Sequence, residues 1–188
     1  MKICGLDEVG RGSLAGPLVA AGVILKKPVS GLNDSKKLSR NKREKIYEQL
    51  KNSGAVIKIE IISARTINTR GITYANKEIF KRLIKATEAD KYIVDGKTHP
   101  GKVRGKTDKI KPIIGADRTR KSVMAASIAA KVTRDKIMED LHIQYPQYGW
   151  DKNSGYGTRQ HIAAIIEFGT VKCHRDIWVT TALTQKVS

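Results

Sequence analysis

Ile3-Cys4-Gly5-Leu6-Asp7-Glu8-Val9-Gly10-Arg11-Gly12 is the stretch on which the reading of this chain turns. An apolar run ends in two adjacent acids, and a Gly-Arg-Gly bend follows at once. Adjacent carboxylates at a strand end repel one another unless a cation holds them. Hard cations such as Mg²⁺ prefer carboxylate oxygen and keep the rest of their shell for water or phosphate. The glycines let backbone approach a ligand closely, and Arg11 offers a planar fork suited to phosphate. The segment therefore reads as a metal-plus-phosphate site at the end of a strand. A solvated acidic turn is the plain alternative for these residues taken alone.

Outward from this strand, placed over residues 2–8, a second run at 18–25 is apolar on both faces and reads as a buried central strand. Asp34-Ser35-Lys36-Lys37-Leu38 is a polar loop, after which Ser39 caps a helix to about Asn52, with Gly54 as its stop signal. Val56–Ile62 reads as a third strand, and helical spacing of Ala75, Ile79, Leu83 and Ala86 predicts a helix over residues 73–87. Tyr92-Ile93-Val94-Asp95-Gly96 is a short strand, residues 97–111 form a basic loop, and Pro112-Ile113-Ile114 is a fifth strand. A long helix is expected over residues 121–143, where the run Ala125 to Ala130 permits close packing on a sheet. A turn-rich aromatic loop over residues 145–158 leads to a last helix ending near Phe168. Strands mixed with long helices make the fold class α/β.

The chain has 188 residues, enough for one compact domain with a substantial core. That domain divides into a catalytic core over about residues 1–143 and a C-terminal helical part over about 144–188. Lys and Arg number 36 against 18 Asp and Glu, a net charge of +18 that points to a polyanion partner, nucleic acid before membrane. No apolar stretch reaches a transmembrane length and no secretory leader pattern is read, so a cytoplasmic protein is expected. Two cysteines make no disulfide framework, and Cys173-His174 lacks the second pair that structural zinc needs.

Asp7, Asp95 and Asp117 stand at strand C-terminal ends or just beyond them, the edge where open α/β sheets place their ligands. Converging carboxylates with few histidines suit two Mg²⁺ or Mn²⁺ ions clamping a phosphoryl displacement. Neighbouring strand residues face opposite ways, so Glu8 acts differently from Asp7, through its carbonyl or toward the substrate. Asp95 and Asp117 each have a plainer reading as a turn or cap residue. Asp135 competes for the fourth position, although beside Arg134 it reads as half of a surface ion pair. Gly101 to Thr107 nearly makes a phosphate-binding P-loop. It has one residue too few between its glycines, and a strand rather than a helix follows. Tyr145, Tyr148 and Trp150 read as packing residues, and His161 and His174 as structural.

Six segments, in order and covering the chain nearly end to end, resemble the ribonuclease HII family (type 2 ribonuclease H). They are Gly5-Leu6-Asp7-Glu8-Val9-Gly10-Arg11-Gly12-Ser13-Leu14-Ala15-Gly16-Pro17, Asp34-Ser35-Lys36-Lys37-Leu38, Val94-Asp95-Gly96, Ala125-Ala126-Ser127-Ile128-Ala129-Ala130-Lys131-Val132, Gly155-Tyr156-Gly157-Thr158 and His174-Arg175. The resemblance implies a ribonuclease H-like mixed sheet flanked by helices, with a helical C-terminal part. It implies two-metal hydrolysis of RNA in RNA–DNA hybrids and 5′ of single ribonucleotides in duplex DNA. The products would be 5′-phosphate and 3′-hydroxyl ends, the role ribonucleotide removal in replication and repair, and the active form a monomer.

By the same resemblance Asp7, Glu8, Asp95 and Asp117 are the four metal-holding acids. Gly10, Arg11 and Gly12 line the RNA–DNA junction, Tyr156 stacks under the neighbouring deoxyribose, and Lys36 and Lys37 hold phosphates. The chain departs from many bacterial members at Ile114-Gly115-Ala116-Asp117, where Lys-Gly-Asp is common, and at His174-Arg175-Asp176-Ile177-Trp178, where Ser-Phe is commoner at the end. The rival reading is a non-catalytic basic module that binds nucleic acid, for which loss of an acid would be the signature.

Overall fold

The apolar run that opens the chain becomes strand β1 (Ile3–Val9), and the doubly apolar run after it becomes β2 (Leu18–Ile24), every residue of which is buried. The computed structural model describes residues 1–184. Strands β3 (Val56–Ile62), β4 (Lys91–Asp95) and β5 (Ile110–Ile113) complete a five-stranded sheet in the order β3-β2-β1-β4-β5. β1 runs antiparallel to β2, with Asp7 opposite Ala21, and parallel to β4, with Leu6 opposite Val94. β4 and β5 are also parallel, so the carboxyl ends of β1, β4 and β5 share one edge. Pro112 is tolerated because β5 closes the sheet, where one side of the strand needs no ladder partner.

The α-helices among the described residues are α1 (Arg40–Asn52), α2 (Ala64–Lys85), α3 (Ala116–Thr119), α4 (Lys121–Gln144), α5 (Trp150–Asn153), α6 (Arg159–Phe168) and α7 (Asp176–Thr184). The chain divides into two compact units, each built from discontinuous segments. The first takes residues 1–9, 19–61 and 76–132; the second takes 10–18, 62–75 and 133 onward. Within the first, a Cβ on Gly5 would lie only 2.3 Å from the Ser122 carbonyl carbon, so the glycine lets the start of α4 lie directly on β1. Ala125, Ala126, Ala129 and Ala130 are fully buried beside it, the close packing that the small-residue run predicts. Within the second, Trp150 stacks on Tyr148 at 5.0 Å between ring centroids, both fully buried in a cluster with Leu14, Met138 and Ile165. Among the described residues no helix is long and apolar enough to cross a membrane.

Cap chemistry marks several boundaries as read. Ser39 accepts from the Lys42 amide at the start of α1, and Thr158 accepts from the His161 amide at the start of α6. Three differences stand out. α2 begins at Ala64 rather than near Thr73, because Gly71 (φ 78°) breaks it and hides its first turns from the apolar period. The basic loop yields its last two residues to β5, which stops at Ile113 and leaves Ile114 exposed. A further helix, α7, follows the one taken as last; its β-branched Val179, Thr180 and Thr181 are weak helix formers, and burial of Val179 in the core cluster supports it.

Candidate active site

Asp7 lies two residues before the end of β1 and is 7% exposed. Burial first, then the charges of Glu8 and Asp95, push it well above the usual carboxylate range. A hydrogen bond from Ser127 and one from the Glu8 amide at 2.8 Å act in the opposite direction. Asp95 ends β4, the parallel neighbour, and its Oδ1 accepts from the Asp117 amide at 3.3 Å. Asp117 sits in the first turn of α3, entered through Gly115 in the left-handed conformation (φ 68°), and is itself buried. Glu8, on the opposite strand face, is only half-buried. Asp7 is thus close to Glu8 and Asp95, and Asp95 to Asp117. Among the described residues no three His, Cys, Asp or Glu side chains stand grouped so as to hold one metal ion. Uncompensated carboxylates that repel one another do not close further.

Lys36 and Lys37 form a 3₁₀ turn (Ser35–Lys37) capped by Asp34, whose Oδ1 accepts from the Lys36 amide at 3.0 Å. Both lysines are exposed. Lys36 Nζ lies 3.7 Å from Asp117 Oδ2, and Arg118 Nε lies 3.8 Å from Oδ1, so cations already face this acid. Beneath the lysines the turn is tied down. Arg43 donates to the carbonyls of Ser35 and Leu38, and the Ser35 hydroxyl meets the Ser127 hydroxyl at 2.8 Å, out of solvent.

Gly10, Arg11, Gly12 and Tyr156 all belong to the second unit. Two fully buried arginines hold their loop. Arg134 donates to the carbonyls of Ala15, Pro17 and Ser154 and to the Ser13 hydroxyl, at 2.8–3.1 Å. Arg175 donates to Arg11 O at 3.0 Å and twice to Gly16 O. The Ser13 hydroxyl in turn donates to Gly10 O. Gly155 O accepts from the Leu14 and Ala15 amides, and the Arg134 guanidinium stands 5.6 Å from the Tyr156 ring centre. One guanidinium therefore braces both the Gly-Arg-Gly turn and Tyr156. Burial, with Arg134 nearby, pushes Arg175 down to about 9, still charged at neutral pH.

Arg134, in a charged stretch of the long helix, is fully buried, and its neighbour Asp135 accepts from the Ser154 hydroxyl at 3.3 Å. Carbonyl oxygens of a tight loop satisfy the guanidinium, and that demand is invisible along the chain. The long helix nonetheless carries one polar residue, Ser127, inside an alanine run, and this was the available signal for a buried polar partner.

His161 and His174 serve the core. Trp150 Nε1–H donates to His161 Nε2 at 3.0 Å, so His161 carries its proton on Nδ1 and donates to Tyr156 O at 2.9 Å. His174 Nδ1 accepts from the Val171 amide, which leaves Nε2–H facing His161 Nε2 at 3.3 Å. Protonating either ring would set donors against donors. Burial, then the neighbouring His161, holds His174 down to about 4, and burial also lowers His161. Between that value and the ordinary ~6.5 the unfolded chain binds protons that the fold refuses. Stability is therefore full above about pH 6.5 and declines as pH falls toward 4. Melting temperatures across pH 4–8 should show that decline. His174→Asn, whose Oδ1 can still accept from Val171, should flatten it.

The Ribonuclease HII family profile matches residues 4–181. A protein named Ribonuclease HII from Aliarcobacter butzleri (strain RM4018) is 41% identical over 184 residues, covering 97% of this chain and 93% of its own. The RNase HII of Archaeoglobus fulgidus, solved in complex with PCNA, has a TM-score of 0.81 at 26% identity and 95% coverage of both chains. Bst-RNase HIII, solved in complex with Mn²⁺, shares the fold at a TM-score of 0.77 and 18% identity, over 98% of this chain and 70% of that one. A profile match over nearly the whole length, a close full-length relative and the same mixed sheet agree: the chain belongs to the ribonuclease HII family of metal-dependent ribonucleases H, and is a hydrolase.

Proposed function

We propose that this protein is an endonuclease, acting as a cytoplasmic monomer, that hydrolyses the RNA strand of RNA–DNA hybrids. It also cuts 5′ of ribonucleotides embedded in duplex DNA, leaves 5′-phosphate and 3′-hydroxyl ends, and so serves ribonucleotide removal in replication and repair. The observation that carries this reading is Asp7: a buried carboxylate at a strand end, raised by burial and by two neighbouring acids. Such a group is costly on its own and suits a cation.

The donor set suits Mg²⁺ or Mn²⁺, since it is all carboxylate oxygen, from the adjoining strands β1 and β4 and from the first turn of α3. Asp7, Glu8, Asp95 and Asp117 would hold two ions, which when bound supply the electrostatic clamp on attacking and leaving oxygens. Lys36 and Lys37, on their tied-down turn, would hold backbone phosphates and help the net charge of +18 gather the duplex. The Gly10-Arg11-Gly12 backbone would test for a 2′-hydroxyl, the group that separates ribose from deoxyribose. Tyr156 would offer its exposed ring to the neighbouring deoxynucleotide.

The test is a duplex DNA carrying one ribonucleotide, incubated with and without Mg²⁺ or Mn²⁺, with the cut mapped to the nucleotide. A metal-dependent cut on the 5′ side, ending in 5′-phosphate and 3′-hydroxyl, is expected. Binding without cleavage would return the protein to the non-catalytic module.

A further inference from the structure

Within the second unit, the Gly10-Arg11-Gly12 turn is gripped by its carbonyl oxygens, and its amides are left over. Arg175 Nε and Nη2 both reach Gly16 O, at 3.0 and 2.8 Å, which fixes the plane of the guanidinium. Nη1 then donates to Arg11 O at 3.0 Å. The Arg175 amide is itself tied to the same loop through Leu14 O. One peptide earlier, Gly10 O accepts from the Ser13 hydroxyl at 3.0 Å, and Arg134 Nη2 donates to that hydroxyl oxygen at 2.9 Å. In a trans peptide the N–H points away from the C=O. Drawing Gly10 O and Arg11 O into the protein therefore turns the Arg11 and Gly12 amides outward. Both residues are exposed, and among the described residues neither amide has an acceptor.

A turn of this kind is free to flip. Arg11 and Gly12 are its central residues, and the peptide between them has two orientations, the type I and type II arrangements. Glycine at the second central position tolerates both, and Gly12 stands outside the left-handed region that type II requires. The Arg175 bond to Arg11 O favours the observed orientation over the flipped one, in which the Gly12 N–H would turn inward. A buried cation on the carbonyl also polarises the peptide, which strengthens its N–H as a donor.

We propose that Arg175 and Ser13 are positioning residues for sugar recognition, an assignment that rests on reading this turn as the ribonucleotide sensor. They fix the Arg11 and Gly12 amides as an outward pair of donors for the ribose 2′-hydroxyl oxygen, whose two lone pairs accept from both.

Metal-free binding tests this apart from turnover. Affinities are measured in chelator for three duplexes that differ at one sugar: ribose, deoxyribose or 2′-fluoro-deoxyribose. NMR follows the Arg11 and Gly12 amides. In the parent, the ribose duplex should bind tightest and alone move both amides downfield. Arg175→Lys keeps the charge but loses the three-pronged fork, and Ser13→Ala removes one hydroxyl. Each should cut the ribose preference by about three- to tenfold, the worth of one hydrogen bond, with deoxyribose affinity near the parent's. A purely structural role would instead lower melting temperature and all three affinities together, and would overturn the inference. A parent-like ribose preference in a folded variant removes that residue from the assignment, and in both variants overturns it. Should Arg175→Lys not fold, Ser13→Ala decides alone. Parent amides that respond alike to all three sugars would instead sink the reading of the turn as the sensor.

Discussion

Asp7→Asn is expected to abolish hydrolysis, by about a thousandfold or more, while leaving the metal-free fold as stable as the parent or more so. Two separate physical effects produce this result. A neutral amide removes a negative metal ligand, and with it the charge that would hold ions against attacking and leaving oxygens. It also removes a buried carboxylate whose ionised form is opposed by burial, by Glu8 and by Asp95. A carboxyl group raised in the fold costs stability at neutral pH, so its neutral replacement relieves that cost. Asp95→Asn should share the loss of rate, and it keeps an Oδ1 for the Asp117 amide. Cleavage rates with saturating Mg²⁺, beside melting curves in chelator, check both halves. Near-parent turnover in either variant would end the two-metal assignment.

Gly10→Ala and Gly12→Ala, two residues apart, are expected to fail in different ways. Gly10 has φ +85°, and a Cβ there would come within 2.1 Å of Arg134 Nε. Arg134 cannot yield, because hydrogen bonds to Ala15, Pro17, Ser154 and Ser13 fix its guanidinium. The backbone strain and the clash together should cost about 3 kcal/mol or more, with activity lost on every substrate. Gly12 has nothing within 4 Å of its would-be Cβ and no left-handed φ, so Gly12→Ala should fold as the parent does. Its loss should appear in cleavage at a single ribonucleotide, far more than in duplex affinity, if this backbone reads the 2′-hydroxyl. Tyr156→Phe should be milder than Tyr156→Ala, which removes the ring itself. Cleavage and binding measured side by side on single-ribonucleotide and continuous-hybrid duplexes separate these outcomes. Equal losses throughout for Gly12→Ala would assign the loop to phosphate holding alone.

Much of this was legible along the chain. β1, β2 and β3 are local facts, as apolar runs of strand length bounded by Gly, Pro and charge. The caps at Ser39 and Thr158 are local too, because a hydroxyl answers an amide three residues on. The shared edge is local in origin too: Asp95 ends β4, Asp7 lies two residues from the end of β1, and parallel pairing brings those two ends together. Less was legible where a break or a distant partner intervenes. Gly71 concealed the first turns of α2, and α7 rests on burial of Val179 more than on its own propensity.

Sequence alone determined the runs that become β1, β2 and β3, the basic charge and the family resemblance, since each follows from neighbours along the chain or from composition. Only the tertiary structure decided which polar groups go inside. Arg134, beside an acid and in a charged stretch, looks like a surface residue, yet it is buried because the Ser13–Pro17 loop and Ser154 present oxygens that need donors. Ser127 looks like one more small residue for close packing, yet its hydroxyl meets that of Ser35, 92 positions away, out of solvent. Buried hydrogen bonds are satisfied in space, and the partner's distance along the chain carries no information about them.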